Sequence, residues 1–239
     1  MKLLSYRTKS CYLSLVDFLL RIALTPTPEQ FERLRALQTA FAEACNAIAP
    51  VVQASRCWNR VALHHLVYRN MRERFPALGS QMICNAIYSV SRAARLVLQH
   101  PRSPWNVNKR SGAPLPLLRF TPLAPVYFDR HTLSLRGNVL SMYTLDGRMH
   151  FELRLGPSDQ ERFHQEKLLE VMLVANATGF DLVFKFADAD QIGRPRTAVG
   201  EAVVPPYLLV HAPGDRPGAA PHLMAGAALH NAPSRPDVS

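Results

Sequence analysis

Residues 25–48, TPTPEQFERLRALQTAFAEACNAI, decide the fold because they follow a strand and begin a long amphipathic helix. Thr27 is placed to cap that helix, Pro28 fits its first turn, and Gln30 completes a capping-box pattern with Thr27. Apolar residues then recur every three or four positions, which predicts one buried face: Phe31, Leu34, Leu37, Phe41, Ala44 and Ile48. Pro50 is predicted to end the helix.

Two more amphipathic helices are predicted before residue 101. The first covers 59–75 and places Val67, Met71 and Phe75 on one stripe. The second runs from about residue 80 to 100, with an apolar seam at Ile83, Ile87, Val90, Ala94 and Val97. Amphipathic helices joined by short loops predict a small bundle of three helices, or of four.

Short apolar segments separated by turn residues surround this helical region and predict strands. They lie at 15–24, 125–128, 132–135, 139–144, 148–155, 169–174 and 181–186, with a short polar helix at 158–167. Repeated short strands at this spacing predict a small antiparallel barrel or sandwich, so the fold class is α+β. After residue 187 the periodicity is lost and Pro and Gly recur, which predicts an irregular, largely disordered tail with one strand-like stretch at 207–210.

The positive charge of the chain is concentrated in its first half. The net charge is +10, and residues 1–120 carry 17 Lys and Arg against 5 Asp and Glu (17 − 5 = +12), whereas residues 121–239 carry 11 against 13 (11 − 13 = −2). Of the 28 basic residues 5 are Lys, so 28 − 5 = 23 are Arg. This asymmetry favours a polyanionic partner, because neutralised phosphates release counterions. The charge could instead serve solubility or attraction to an acidic membrane surface. A GC-rich genome could by itself produce the excess of Arg over Lys.

The residues predicted to contact phosphate are basic side chains away from the apolar seams or in the loop that follows the third helix. They are Arg60, Arg69, Arg72, Arg74, Arg92, Arg95, Lys109, Arg110 and Arg119. A solvated helix face or a solubilising linker would explain each of them equally well. Trp58 and Tyr68 are candidates for base stacking, with core packing as the alternative.

Neither a metal, a cofactor nor a membrane span is predicted. The four cysteines, Cys11, Cys45, Cys57 and Cys84, show no CxxC spacing, so buried reduced thiols are expected. Adjacent His64 and His65 point about 100° apart on a helix and make poor joint ligands. The apolar stretch 13–24 is too short and too charged to cross a bilayer, so we expect a cytoplasmic protein.

Six short blocks resemble, in order, the TnpB (OrfB) family of RNA-guided nucleases encoded by insertion-sequence transposons. They are TPTPEQ (25–30), CN (45–46), LHHLVYR (63–69), RERFP (72–76), Gln81 and YTLDGR (143–148), and the resemblance covers roughly residues 15–187. It implies an oligonucleotide-binding-like β-barrel, the wedge domain, into which a helical recognition lobe is inserted. The corresponding divisions are a first barrel strand at 15–27, the helical lobe at 28–112, the rest of the barrel at 113–187 and the tail at 188–239.

In that family both parts hold guide RNA and the guide–target heteroduplex, largely through backbone and shape. The family continues into a RuvC-like nuclease that begins with a D-x-G motif, whereas this chain has ADADQIG at 187–193. We therefore expect a nuclease-less protein that binds structured RNA, with or without DNA, and cleaves nothing alone because clustered metal-binding carboxylates are absent. The alternatives are a lobe completed by a separate RuvC-like nuclease chain, a protein-interaction module, or a decayed transposon remnant.

Overall fold

The structure is a computed structural model of the protein, and it describes residues 19–187 and 204–215. These residues form a mixed α+β fold, which confirms the predicted class. The α-helices are α1 (Pro28–Ser55), α2 (Arg60–Arg74), α3 (Gly79–Gln99) and α4 (Pro157–Gln165), with a 3-10 turn at Pro76–Leu78. The strands are β1 (Leu19–Ala23), β2 (Leu117–Phe120), β3 (Val126–Phe128), β4 (Leu133–Arg136), β5 (Val139–Thr144), β6 (Gly147–Glu152), β7 (Leu168–Ala175), β8 (Phe180–Phe186) and β9 (Leu208–His211).

Three antiparallel sheets contain these strands. Their orders are β1-β8-β7-β3, β2-β9 and β4-β5-β6. Within residues 19–187 and 204–215 no sheet closes into a barrel, so the predicted antiparallel strands are confirmed and the predicted closure is not.

The strand that precedes the helices pairs with β8, a strand that follows them. β1 runs antiparallel to β8, from Leu19 opposite Lys185 to Ala23 opposite Asp181. Arg21 Nη1 lies 2.7 Å from Asp181 Oδ2 across this pair, and the Asp181 side chain is 9% exposed. Helices α1 to α3 are therefore inserted, in the chain, between strands that belong to one four-stranded sheet.

Helix α1 begins as predicted and ends later than predicted. Thr27 Oγ1 accepts from the Gln30 backbone N–H at 3.2 Å, and the Thr27 N–H donates to Gln30 Oε1 at 3.0 Å, which completes the capping box. Pro50 lies inside the helix, so the prediction that it ends α1 was wrong. Ala49 and Val52 on either side are each 2% exposed. Burial of this last turn outweighs the backbone hydrogen bond that a proline removes.

The predicted apolar seams lie in the core. Leu34, Leu37, Phe41, Ala44 and Ile48 of α1 are fully buried, and Phe31 is half-buried. All five predicted seam residues of α3 are buried, as are Val67 and Met71 of α2, whereas Phe75 is half-buried. α3 packs against both α1 and α2, and α1 and α3 also contact β3. The helices and the sheets therefore share one hydrophobic core.

One strand escaped the sequence analysis, and its partner lies in the predicted irregular tail. β2 follows Pro114 and Pro116, and it pairs with β9, with Phe120 opposite Leu208. The strand-like stretch at 207–210 is thus part of a sheet. The rest of the predicted tail, residues 188–203 and 216–239, lies outside the described residues, as do residues 1–18 with Cys11.

A side chain of α1 completes the other edge of β2. Asn46 Oδ1 accepts from the Phe120 backbone N–H at 2.7 Å, and Asn46 Nδ2 donates to the Phe120 carbonyl oxygen at 2.9 Å. Phe120 is 2% exposed, so these backbone groups have little access to water as a substitute partner. The Asn46 amide therefore replaces a neighbouring strand and joins α1 to β2.

Asn46→Ala is expected to lower the free energy of unfolding by about 1–3 kcal/mol, because it leaves a buried N–H and a buried carbonyl unpaired. Urea titration followed by circular dichroism measures the change. Asn70→Ala is the matched control, because Asn70 is exposed on α2. Equal stabilities of the two variants would contradict the structural role assigned to Asn46.

Candidate nucleic-acid interface

Three of the predicted phosphate-binding residues meet in one groove. Arg60 at the start of α2 and Arg92 and Arg95 of α3 line a groove of about 460 Å³ that β7 and β8 close from the other side. Its remaining lining residues are Tyr88, Ser91, Leu169, Glu170 and Lys185. Tyr88, Arg92 and Arg95 follow an i, i+4, i+7 spacing, which places them on one face of α3. Glu170 and Lys185 are directly paired across β7 and β8.

One carboxylate organises the centre of this groove. Arg92 Nη1 lies 2.5 Å from Glu170 Oε1 and 2.7 Å from Oε2, and the Tyr88 hydroxyl donates to Oε1 at 3.0 Å. The Glu170 side chain is 9% exposed, whereas that of Arg92 is 45% exposed. Arg92 therefore reaches from a buried anchor towards the solvent.

Aromatic rings lie beside two of the guanidinium groups that line the groove. The Arg60 guanidinium lies 5.2 Å from the Tyr88 ring centroid, and that of Arg92 lies 5.7 Å from the Tyr127 centroid. Burial, and after it the negative charge of Glu170, raises the pKa of the Tyr88 hydroxyl. Tyr88 therefore stays neutral at physiological pH and can donate its hydrogen bond to Glu170.

The groove carries an excess of positive charge. Arg60, Arg92, Arg95 and Lys185 supply four cations and Glu170 supplies one carboxylate, so the lining charge is 4 − 1 = +3. Within the part of the chain that the structure describes, neither Arg60 nor Arg95 forms an ion pair. Both are exposed. An incoming phosphate can therefore bind these two arginines without first displacing a carboxylate.

The three other predicted arginines of α2 do not line this groove. Arg69 is exposed and forms an i, i+4 ion pair with Glu73 at 3.4 Å. The Arg74 guanidinium lies 5.4 Å from the Phe75 ring centroid. Arg72 is half-buried, and its Nη1 has no hydrogen-bond partner among the described residues. These residues form a second, separate set of basic groups.

The remaining predicted residues lie after α3 and are also absent from the groove lining. Lys109 and Arg110 are exposed in the loop before β2, where the Arg110 guanidinium lies 4.7 Å from the Trp105 ring centroid. Arg119 is exposed on β2. The nine predicted residues are thus not brought into one continuous cleft, and only Arg60, Arg92 and Arg95 share a groove.

The two predicted stacking residues pack against the core. Trp58 is half-buried, and its carbonyl oxygen accepts from the Ser91 hydroxyl at 2.6 Å. Tyr68 is half-buried and stacks on His64 with 4.5 Å between the ring centroids. Neither lines the groove, whereas Tyr88 does.

Sequence reasoning missed Tyr88, Glu170 and Lys185. Tyr88 could have been found, because it precedes Arg92 by one helical turn on the same face of α3. Lys185 stands out as the one cation in the apolar run FDLVFKF of β8, yet nothing local to that strand indicates that it faces α3. Glu170 lies 78 positions after Arg92, and only the tertiary fold brings them together.

Metal sites and membrane-spanning helices are two other features that residues 19–187 and 204–215 were expected to lack. No group of three or more His, Cys, Asp or Glu side chains is arranged to hold a metal ion there. None of the helices in these ranges is long and apolar enough to cross a bilayer. No protein-family model matches the chain, and no curated protein sequence is significantly similar to it. The resemblance to TnpB proteins therefore remains a proposal.

Proposed function

We propose that this protein binds nucleic acid, structured RNA in the first place, through the groove lined by Arg60, Arg92, Arg95 and Lys185. The observation that carries the proposal is the lining charge of +3, created by residues of four elements that converge from distant parts of the chain. A solvated helix face does not require cations on facing helix and sheet elements. A groove that binds a phosphate backbone needs cations on both of its walls, because successive phosphates lie along the length of the groove.

The chemistry of the lining suits phosphate better than a carboxylate partner. Planar guanidinium groups present parallel N–H donors that match two phosphate oxygens at once. Arg60 and Arg95 are exposed, while Arg92 is engaged by Glu170, which also accepts a hydrogen bond from Tyr88.

The architecture of the proposal follows the TnpB resemblance. We assign the sheets to a wedge-like, oligonucleotide-binding type of scaffold and the helices to a recognition lobe. The pairing of β1 with β8, on either side of the inserted helices, supports this assignment. The proposal is limited to binding, because the groove contains one carboxylate and that carboxylate is engaged by Arg92 and Tyr88.

Filter binding of the full-length chain to a structured RNA and to duplex DNA across a salt series tests the proposal. Affinity is expected to fall with salt along a straight log–log line, with a slope of roughly −0.7 to −0.9 for each phosphate contacted. Three to four contacts in the groove give a slope of roughly −2 to −4. Absence of retention at low salt, or affinity that does not change with salt, would reject the proposed function.

A further inference from the structure

A second, larger cavity lies directly beside the basic groove. It has a volume of about 850 Å³, within the range of pockets that hold small organic ligands, and it opens between β3, β4, α4 and β7. Its apolar lining includes Phe128, Phe163 and Phe184. Phe163 of α4 packs edge-on against Phe184, with 5.0 Å between the ring centroids.

Polar side chains surround this apolar lining. Gln81, Asp129, His131, Gln160 and His164 also line the cavity, and they offer both donors and acceptors. His131, Gln160 and His164 are exposed. Gln81 and Asp129 are hydrogen-bonded to each other, and Gln160 donates to Asn138. The exposed His164 ring can still donate and accept, so the cavity suits a flat ligand with an apolar face and a polar edge.

The cavity and the basic groove share a wall. Leu169 and Glu170, at the beginning of β7, line both of them. Leu168 and Leu169 are 41% and 49% exposed. The two shared residues, Leu169 and Glu170, place the cavity next to the groove.

We propose that the cavity accepts one unpaired nucleobase of the nucleic acid bound in the groove, an inference that rests on the proposed function. A nucleobase has the required form, because one face can stack on an aromatic ring, here half-buried Phe163, and its edge carries hydrogen-bond donors and acceptors. Bases in a duplex are already paired and stacked, so the cavity selects single-stranded, bulged or looped segments. The +3 lining of the groove supplies the complementary charge for the adjoining phosphates.

Photocrosslinking with a short oligouridine that contains thiouridine tests this inference in the full-length chain, with crosslinked peptides mapped by mass spectrometry. The expected crosslinks lie on residues of α4 and β7 that line the cavity but not the groove, such as Phe163, His164 and Leu168. Ser134→Trp places a ring in the cavity from half-buried Ser134 of β4. It is expected to abolish these crosslinks and to weaken single-strand binding by roughly tenfold, the value of one base stack, while binding of a duplex is retained.

Val139→Trp is the matched control, because Val139 is 50% exposed on β5 and does not line the cavity. Phe163→Leu provides a second test should Ser134→Trp fail to fold, since it removes the ring but keeps an apolar side chain. Crosslinks confined to the groove, or single-strand affinity unchanged in a folded Ser134→Trp or Phe163→Leu variant, would overturn the inference and leave the proposed function standing. Loss of all retention by the wild-type chain would reject both.

Discussion

Replacing Arg60 and Arg95 together with glutamine is expected to weaken RNA binding by more than roughly tenfold at about 0.15 M salt. Each phosphate contact contributes about 0.7–0.9 to the slope of log affinity against log salt, so losing two makes the slope shallower by roughly 1.4–1.8. The change should vanish as the salt concentration approaches about 1 M, because the affected free energy comes from counterion release. Filter binding at several salt concentrations measures both quantities.

Arg35→Gln combined with Arg136→Gln is the matched control for this double variant. It removes the same net charge from exposed arginines of α1 and β4 that do not line the groove. Its affinity and its salt slope should stay close to those of the wild-type chain. If both double variants lose affinity equally, net charge and not the groove determines binding, and the assignment of Arg60 and Arg95 is wrong.

In the same experiment, Glu170→Gln is expected to change RNA affinity in the opposite direction. The change keeps the shape of the side chain but removes the carboxylate that competes with phosphate for Arg92. One more guanidinium becomes available, so RNA binding should tighten by about fourfold to fivefold at about 0.15 M salt and the slope should steepen by roughly 0.7–0.9. Weaker binding would instead mean that Glu170 is needed to hold Arg92 in a binding geometry.

The helices and most strands could be predicted because their signals are local. The capping box at Thr27 and Gln30 and the seam of α3 need only the spacing of residues along a few turns. β2 could not be found in the same way. Its four residues gain their pairing from β9 and from Asn46, which lie far away in the chain. The prediction that Pro50 ends α1 failed for a related reason. The tertiary fold buries Ala49 and Val52 on either side of Pro50, and this burial keeps the chain helical beyond the proline.

The candidate site was predictable only on its helical side. Arg92 and Arg95 could be placed on an exposed helix face from the apolar seam opposite them, and Arg60 could be placed at a helix start. That Arg69 and Arg74 lie on another surface follows from how α2 packs on α3, which no local pattern encodes. On the sheet side, the positions of Glu170 and Lys185 depend on the β7–β8 pairing and on how these two strands lie opposite α3. Sequence patterns therefore identify most of the exposed cations, though not half-buried Arg72, and they do not show which cations face one another.

β8 forms part of the core as well as one wall of the groove, so a substitution in the core of the four-stranded sheet should lower both stability and binding. Phe184 is fully buried in β8, opposite Leu20 of β1 and Val171 of β7. Phe184→Ala is expected to lower the free energy of unfolding by about 3–5 kcal/mol, since it removes a buried ring and leaves a cavity. Urea titration should show a lower midpoint with an unchanged m-value.

Leu19→Ala is the control for this substitution, because Leu19 lies in the same sheet but is 56% exposed, and its change should stay within about 0.5 kcal/mol. Phe184 is adjacent to Lys185 and opposite the residue that follows Glu170 in β7, so loss of the strand also removes one wall of the groove. RNA retention should therefore disappear over the same urea range as the helical signal. Binding that persists after Phe184→Ala has unfolded the sheet would place the binding site on the helices alone, because the cations of α2 and α3 would then suffice without Lys185.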